Sequence, residues 1–186
     1  MEAFLISTFA VAIAEIGDKT QLLALILAAR FKRPLPIILG IFTATIFNHA
    51  LAGLVGEWVR TMLGPDTLRW ILGVSFLLIA AWALIPDKME EGGDVHGGYG
   101  VFAVTCIAFF IAEMGDKTQL ATVALAAKYA SFMAVVAGTT FGMMLANVPA
   151  VMLGKIASPN FPFRVVRMVS AAIFAVLGVV VLLSNR

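Results

Sequence analysis

Glu15-Ile16-Gly17-Asp18-Lys19-Thr20-Gln21-Leu22 returns as Glu113-Met114-Gly115-Asp116-Lys117-Thr118-Gln119-Leu120. Each copy lies inside a long apolar stretch, which puts four carboxylates at bilayer depth. A charge there costs a few kcal/mol or more unless it is paired or hydrated. A costly octapeptide placed twice points to a working site.

The surrounding composition supports that depth. Of 186 residues, 61% are hydrophobic and 13% charged, and the mean hydropathy is +1.00. Such a chain reads as a polytopic membrane protein rather than a soluble domain. A net charge of +2, with no basic run longer than Arg30-Phe31-Lys32-Arg33, argues against nucleic acid as a partner. The lone Cys106 makes no internal disulfide, and two histidines are too few for a His-rich metal site. Glu2 stands where a signal peptide has its basic region, and the first apolar stretch runs into the motif. We therefore read it as a retained helix.

Working outward from the motifs, six stretches have the length needed to cross roughly 30 Å of hydrocarbon. They are 3–29, 35–58, 68–85, 100–127, 132–154 and 165–184. The motifs stand 98 positions apart, and the same offset relates Gly40 to Gly138, Gly56 to Gly154, Arg69 to Arg167 and Phe76 to Phe174. The halves are one repeat, with three spans each. An odd number of spans makes the second half enter the membrane from the opposite side, the inverted arrangement of many secondary transporters. The expected fold is all-α and polytopic, with six transmembrane helices as two inverted three-helix repeats. Residues 1–86 form the first repeat, 87–99 an acidic, glycine-rich linker, and 100–186 the second repeat.

Orientation follows from the lysines and arginines outside the motifs. Arg30, Lys32, Arg33, Lys88, Lys155, Arg164 and Arg167 fall on the side of the 1–2, 3–4 and 5–6 loops; Arg60, Arg69, Lys128 and Arg186 fall on the other. Seven against four puts the central 3–4 loop in the cytoplasm and both termini outside.

On a continuous helix, Glu15 and Asp18 share a face, as do Glu113 and Asp116. Gly17 and Gly115 weaken the helix locally, and carbonyls released there are further ligand candidates. Thr20, Gln21, Thr118 and Gln119 add neutral oxygens. If the inverted repeats bring the motifs face to face, an all-oxygen set converges. Such a set suits hard cations such as Ca²⁺, Mg²⁺ and Mn²⁺ rather than Zn²⁺ or Cu⁺. Two acids and one lysine per motif sum to −2 over both copies, which one divalent cation neutralises. With the metal gone, desolvation and mutual repulsion favour proton uptake by the crowded carboxylates. The reading is cation/proton antiport, with Glu15, Asp18, Glu113 and Asp116 holding metal and protons in turn. Lys19 and Lys117, each four residues after a glutamate, are expected counter-ions within their own motifs. In a purely structural alternative, the motifs are a polar clasp between helices. Asn48 and Asn147 are auxiliary candidates for the site, and His49, which shares its register position with Asn147, is a candidate relay. Gly40/Ala44, Ala52/Gly56 and Gly138/Gly142 read as close helix-packing stripes.

The two Glu-x-Gly-Asp-Lys-Thr copies carry a resemblance. The chain resembles the cation/proton antiporters defined by duplicated E-x-G-D-[KR]-[TS] motifs. That family includes bacterial manganese exporters of the MneA type and eukaryotic Golgi and chloroplast Mn²⁺/Ca²⁺ transporters. The resemblance covers essentially the whole chain, with no departure inside either motif. It implies that Glu15, Asp18, Glu113 and Asp116 are the metal-site acids, with Thr20, Gln21, Thr118 and Gln119 in the adjoining positions. The short central loop and the lack of an N-terminal extension look like the bacterial branch, which implies the inner membrane and manganese efflux.

The expected function is thus export of Mn²⁺, the transported substrate rather than a prosthetic group, driven by proton or sodium entry. A Ca²⁺/H⁺ or broad divalent antiporter fits the same ligands. Readings from other classes are a passive cation channel, whose flux would ignore a pH gradient, a structural membrane protein, and a hydrolase using an aspartate pair. The expected partners are divalent metal, protons and the bilayer. A chain this small works as a monomer or a homodimer.

Overall fold

The computed structural model describes residues 1–85, 100–153 and 163–184. The expected linker 87–99 lies outside the described residues, as do Lys88, Gly154, Lys155 and Arg186. The described residues form eight helices and no strands. These are α1 (Glu2–Glu15), α2 (Lys19–Phe31), α3 (Pro34–Met62), α4 (Pro65–Ala83), α5 (Val101–Glu113), α6 (Lys117–Tyr129), α7 (Phe132–Leu153) and α8 (Phe163–Leu183). Helices α3, α4 and α7 are long and apolar enough to cross a membrane. Val101–Glu113 and the Arg167–Leu183 part of α8 are apolar but shorter.

The expected spans 3–29 and 100–127 are not continuous helices. Each is cut at its motif, into α1 and α2 and into α5 and α6. The cause is local. Gly17 has φ +81° and Gly115 φ +77°, a left-handed conformation that a right-handed helix cannot contain. Ile16 and Met114 before them are extended. Asp18 and Asp116 then take the N-cap positions of α2 and α6, also extended. Both second halves end on another left-handed residue, Lys32 (φ 53°) and Ala130 (φ 47°), again 98 positions apart.

Packing obeys the same register. Helix α1 lies along α7 and α5 along α3; α2 meets α7 and α6 meets α3. A Cβ on Gly40 would stand 2.9 Å from the Phe102 carbonyl oxygen, and one on Gly138 would stand 2.5 Å from that of Phe4, the equivalent residue. No side chain fits there, so α3 and α7 ride directly on backbone, as the small-residue stripes lead one to expect. Helices α3 and α7 also cross each other at the centre. Helices α4 and α8 pair at the side, where Phe76 stacks on its equivalent Phe174 (centroids 6.5 Å apart, planes 15° apart).

Candidate metal centre

The two breaks face each other. Helices α1 and α5 end on Glu15 and Glu113; α2 and α6 begin one residue after Asp18 and Asp116. Both glutamates are fully buried, and Asp18 and Asp116 are 3% and 2% exposed. Because the helix is interrupted, the acids of one motif do not share a helical face. They are brought together by a tight turn in which the Asp18 N–H donates to the Glu15 carbonyl at 3.0 Å. The Asp116 N–H does the same to Glu113, also at 3.0 Å. These two carbonyls therefore each accept one hydrogen bond within the turn.

Of the four acids, Glu15, Glu113 and Asp116 each bring a carboxylate oxygen within 4.8 Å of the others. Oxygens roughly 2.1–2.6 Å from one cation lie no more than about 5.2 Å apart, so each pair of the trio is close enough to share a hard ion. Asp18 is held by Lys117. Lys19 sits 3.4 Å from Asp116. The ion pairs therefore cross between motifs. The i,i+4 pairing expected within each motif does not form, because the break between Glu15 and Lys19 removes the helical turn that would bring them together. Among the described residues no lysine or arginine reaches ion-pair distance of Glu15 or Glu113.

The neutral groups divide by task. Thr118 Oγ1 donates toward Glu113 Oε2 (3.2 Å) and Asp116 Oδ2 (3.3 Å), tying two acids of the trio together. Asn147 Nδ2 donates to Glu15 Oε1 at 3.3 Å and to the Met143 carbonyl at 3.1 Å. Thr20 is fully buried beside the break, and its Oγ1 has no hydrogen-bond partner among the described residues. Gln21 and Gln119 stabilise the breaks instead of offering their oxygens to the trio. The Gly17 N–H donates to Gln21 Oε1 (2.8 Å) and the Gly115 N–H to Gln119 Oε1 (2.6 Å). Gln21 Nε2 also donates to the Ala146 carbonyl at 3.1 Å, joining α2 to α7. Asn48 donates to the Phe110 carbonyl at 3.1 Å, a bond between α3 and α5 that leaves the acids untouched. His49 is fully buried, and neither ring nitrogen has a hydrogen-bond partner among the described residues.

Arg167 lies inside α8, within the expected span 165–184. With Ser170 it lines a cavity of about 10 Å³, the size of one water, beside Gly17, Asp18 and Lys117. The sequence signal was its register with Arg69, which likewise lies inside α4.

The chain matches the family described as "Divalent cation/proton antiporter GDT1" over residues 3–91 and 101–186, and it belongs to that family. A Vibrio cholerae protein named "Putative manganese exporter" is 50% identical over 179 residues, covering 96% of this chain and 89% of the relative. A GDT1-like protein of Synechocystis is 28% identical, with 97% of this chain and 96% of the relative aligned. GDT1-like protein 4 of Arabidopsis thaliana is 26% identical, with 90% and 89% aligned. No solved structure matches the chain. The protein is thus a membrane-embedded divalent-cation transporter and not an enzyme.

Proposed function

We propose that the protein exports Mn²⁺ across a bacterial inner membrane in exchange for protons. Six spans act as two inverted repeats, 1–86 and 100–186. Helix α1 with α2, and α5 with α6, each make one broken span. Fourteen residues of α1 rise only about 21 Å, short of the hydrocarbon thickness, and α2 supplies the rest. The odd count per repeat supports the inversion, and the loop charges support a cytoplasmic central loop with both termini outside.

The observation that carries the reading is the buried trio Glu15, Glu113 and Asp116, with oxygens within 4.8 Å of one another. Asp18 completes the acidic site while Lys117 and Lys19 balance the two aspartates. Among the described residues no lysine or arginine stands at ion-pair distance of Glu15 or Glu113, so the transported metal is well placed to neutralise them. When it leaves, protons neutralise the crowded carboxylates, and the empty charged site is held back by its desolvation cost. Metal and protons therefore exclude each other, and this couples their fluxes. Thr118 and Asn147 orient the carboxylates for both cargoes. Mn²⁺ is favoured over Ca²⁺ by the Vibrio relative's name; the oxygen donors accept both ions.

Uptake into proteoliposomes of Mn²⁺, Ca²⁺ and Mg²⁺, with and without a pH gradient, tests this. The expected result is manganese flux that grows with the proton gradient and disappears in Glu15→Gln. Equal calcium flux would make the protein a broad divalent antiporter. Flux indifferent to the gradient would make it a channel.

A further inference from the structure

The two motifs are related by the repeat, yet their surroundings are unequal, with Asp18 and Lys117 on the covered side. Helix α8 packs on α1 and α4 packs on α6. The repeat-related packings, α4 on α5 and α8 on α2, have no comparable counterpart among the described residues. Ile16 and Gly17 line the small cavity beneath α8, whereas their equivalents Met114 and Gly115 are exposed, Met114 by 58%. The Lys117 side chain is 4% exposed and that of Lys19 is 32% exposed. Arg167 lines the cavity beside Asp18, whereas Arg69 points to Asp66 (3.6 Å) and to the Ser184 carbonyl (3.4 Å).

Helices α4 and α8 are locked together. Phe76 stacks on its repeat equivalent Phe174, and a Cβ on Gly178 would stand 2.9 Å from the Gly73 carbonyl oxygen, so the two backbones touch. Two helices this close lean as a unit. The unit lies over α1 and α6, on the side of Asp18 and Lys117. The uncovered side presents the same side chains: Ile111 and Ala112 stand where Ile13 and Ala14 line the cavity. A surface that fits the pair on one side is repeated on the other, so the opposite lean has similar packing and similar energy.

We propose that α4 and α8 move together as the gate of this transporter. They close over Asp18 and Lys117 in the arrangement described, and over Asp116 and Lys19 in the other. Arg167 and Arg69 take turns beside the site as positioning residues. The motif-bearing helices, held on α3 and α7 by backbone contact, stay in place. This rests on the antiporter reading and specifies which element alternates access.

The test uses disulfide trapping in the full-length protein carrying Cys106→Ser, reconstituted in liposomes. Ala14→Cys with Ser170→Cys joins two cavity-lining positions and traps the present arrangement. Ala112→Cys with Leu72→Cys, the repeat-related pair, joins α5 to α4 only if the gate crosses over. The expected result is that both pairs cross-link under oxidation. Each then loses manganese uptake to background and recovers it with reductant. The gate is overturned if the Ala112/Leu72 pair transports normally yet never cross-links at any metal concentration or pH gradient. Ile111→Cys with Arg69→Cys, at more exposed positions, replaces that pair if Leu72→Cys fails to fold, read by cross-linking alone. Absence of divalent flux in the Cys106→Ser parent, with both cross-links still forming, contradicts the antiporter reading and leaves the gate standing.

Discussion

Replacing Lys117 with Met removes the cation from a buried pair in which both side chains are almost entirely out of solvent, 4% and 0% exposed. Asp18 then loses a buried cation partner, and breaking a buried pair in this way costs roughly 3–5 kcal/mol. Lys19→Met has the same chemistry at the repeat-related position with a different outcome. Lys19 is 32% exposed, so its pair with Asp116 is screened, and Thr118 Oγ1 still donates toward Asp116 at 3.3 Å. A loss of about 1 kcal/mol is expected there. For a domain of this size the two translate into falls of roughly 6–20 °C and roughly 2–4 °C in midpoint. Thermal unfolding of the purified protein in detergent, followed by size-exclusion or intrinsic fluorescence, reads both. Asp18→Asn combined with Lys117→Met removes the stranded charge and should recover at least half of the loss. Equal destabilisation by the two lysine variants, or no recovery in the double variant, would refute the crossed and unequal ion pairs.

Three further expectations follow from individual contacts. Gly115→Ala has open space for its Cβ but must hold φ near +77°, so it should cost about 1–2 kcal/mol through backbone strain alone, measured by the same unfolding assay. Gly138→Ala meets the Phe4 carbonyl at 2.5 Å and forces α1 from α7, so it should cost about 1–3 kcal/mol and perturb metal binding through Glu15 at the end of α1. Asn147→Ala removes a hydrogen bond to Glu15 and should weaken Mn²⁺ binding in equilibrium titration by about tenfold, the equivalent of one charge-assisted bond; Asn48→Ala, whose bond goes to the Phe110 carbonyl, should leave the affinity unchanged.

Much of this organisation was legible in the linear chain. Repetition of Glu-x-Gly-Asp-Lys-Thr in apolar sequence located the site, and the constant offset predicted which residues of the two halves would be equivalent. The positions of Gly17 and Gly115 carried the helix breaks, because glycine adopts the left-handed conformation found there without steric cost. What the chain could not reveal was pairing across space. Sequence distance favours Glu15 with Lys19, but the break separates them and the opposite motif supplies the partner, so each lysine crosses over. The same break gives Gln21 and Gln119 a backbone N–H to satisfy, which competes with any role as a metal ligand. Asp18 and Asp116 share the same motif and differ in the structure in burial beside α8 and in the Thr118 contact to Asp116, tertiary properties with no local signature.

The central claim is that Mn²⁺ and protons occupy the same carboxylates. Its most direct test is proton release on adding Mn²⁺ to the purified protein in weakly buffered detergent solution, read with a pH indicator alongside the binding isotherm. The account predicts protons released in proportion to metal bound, with both signals abolished in the Glu15→Gln, Glu113→Gln double variant. Manganese binding that proceeds without proton release, or that survives in the double variant, would contradict it.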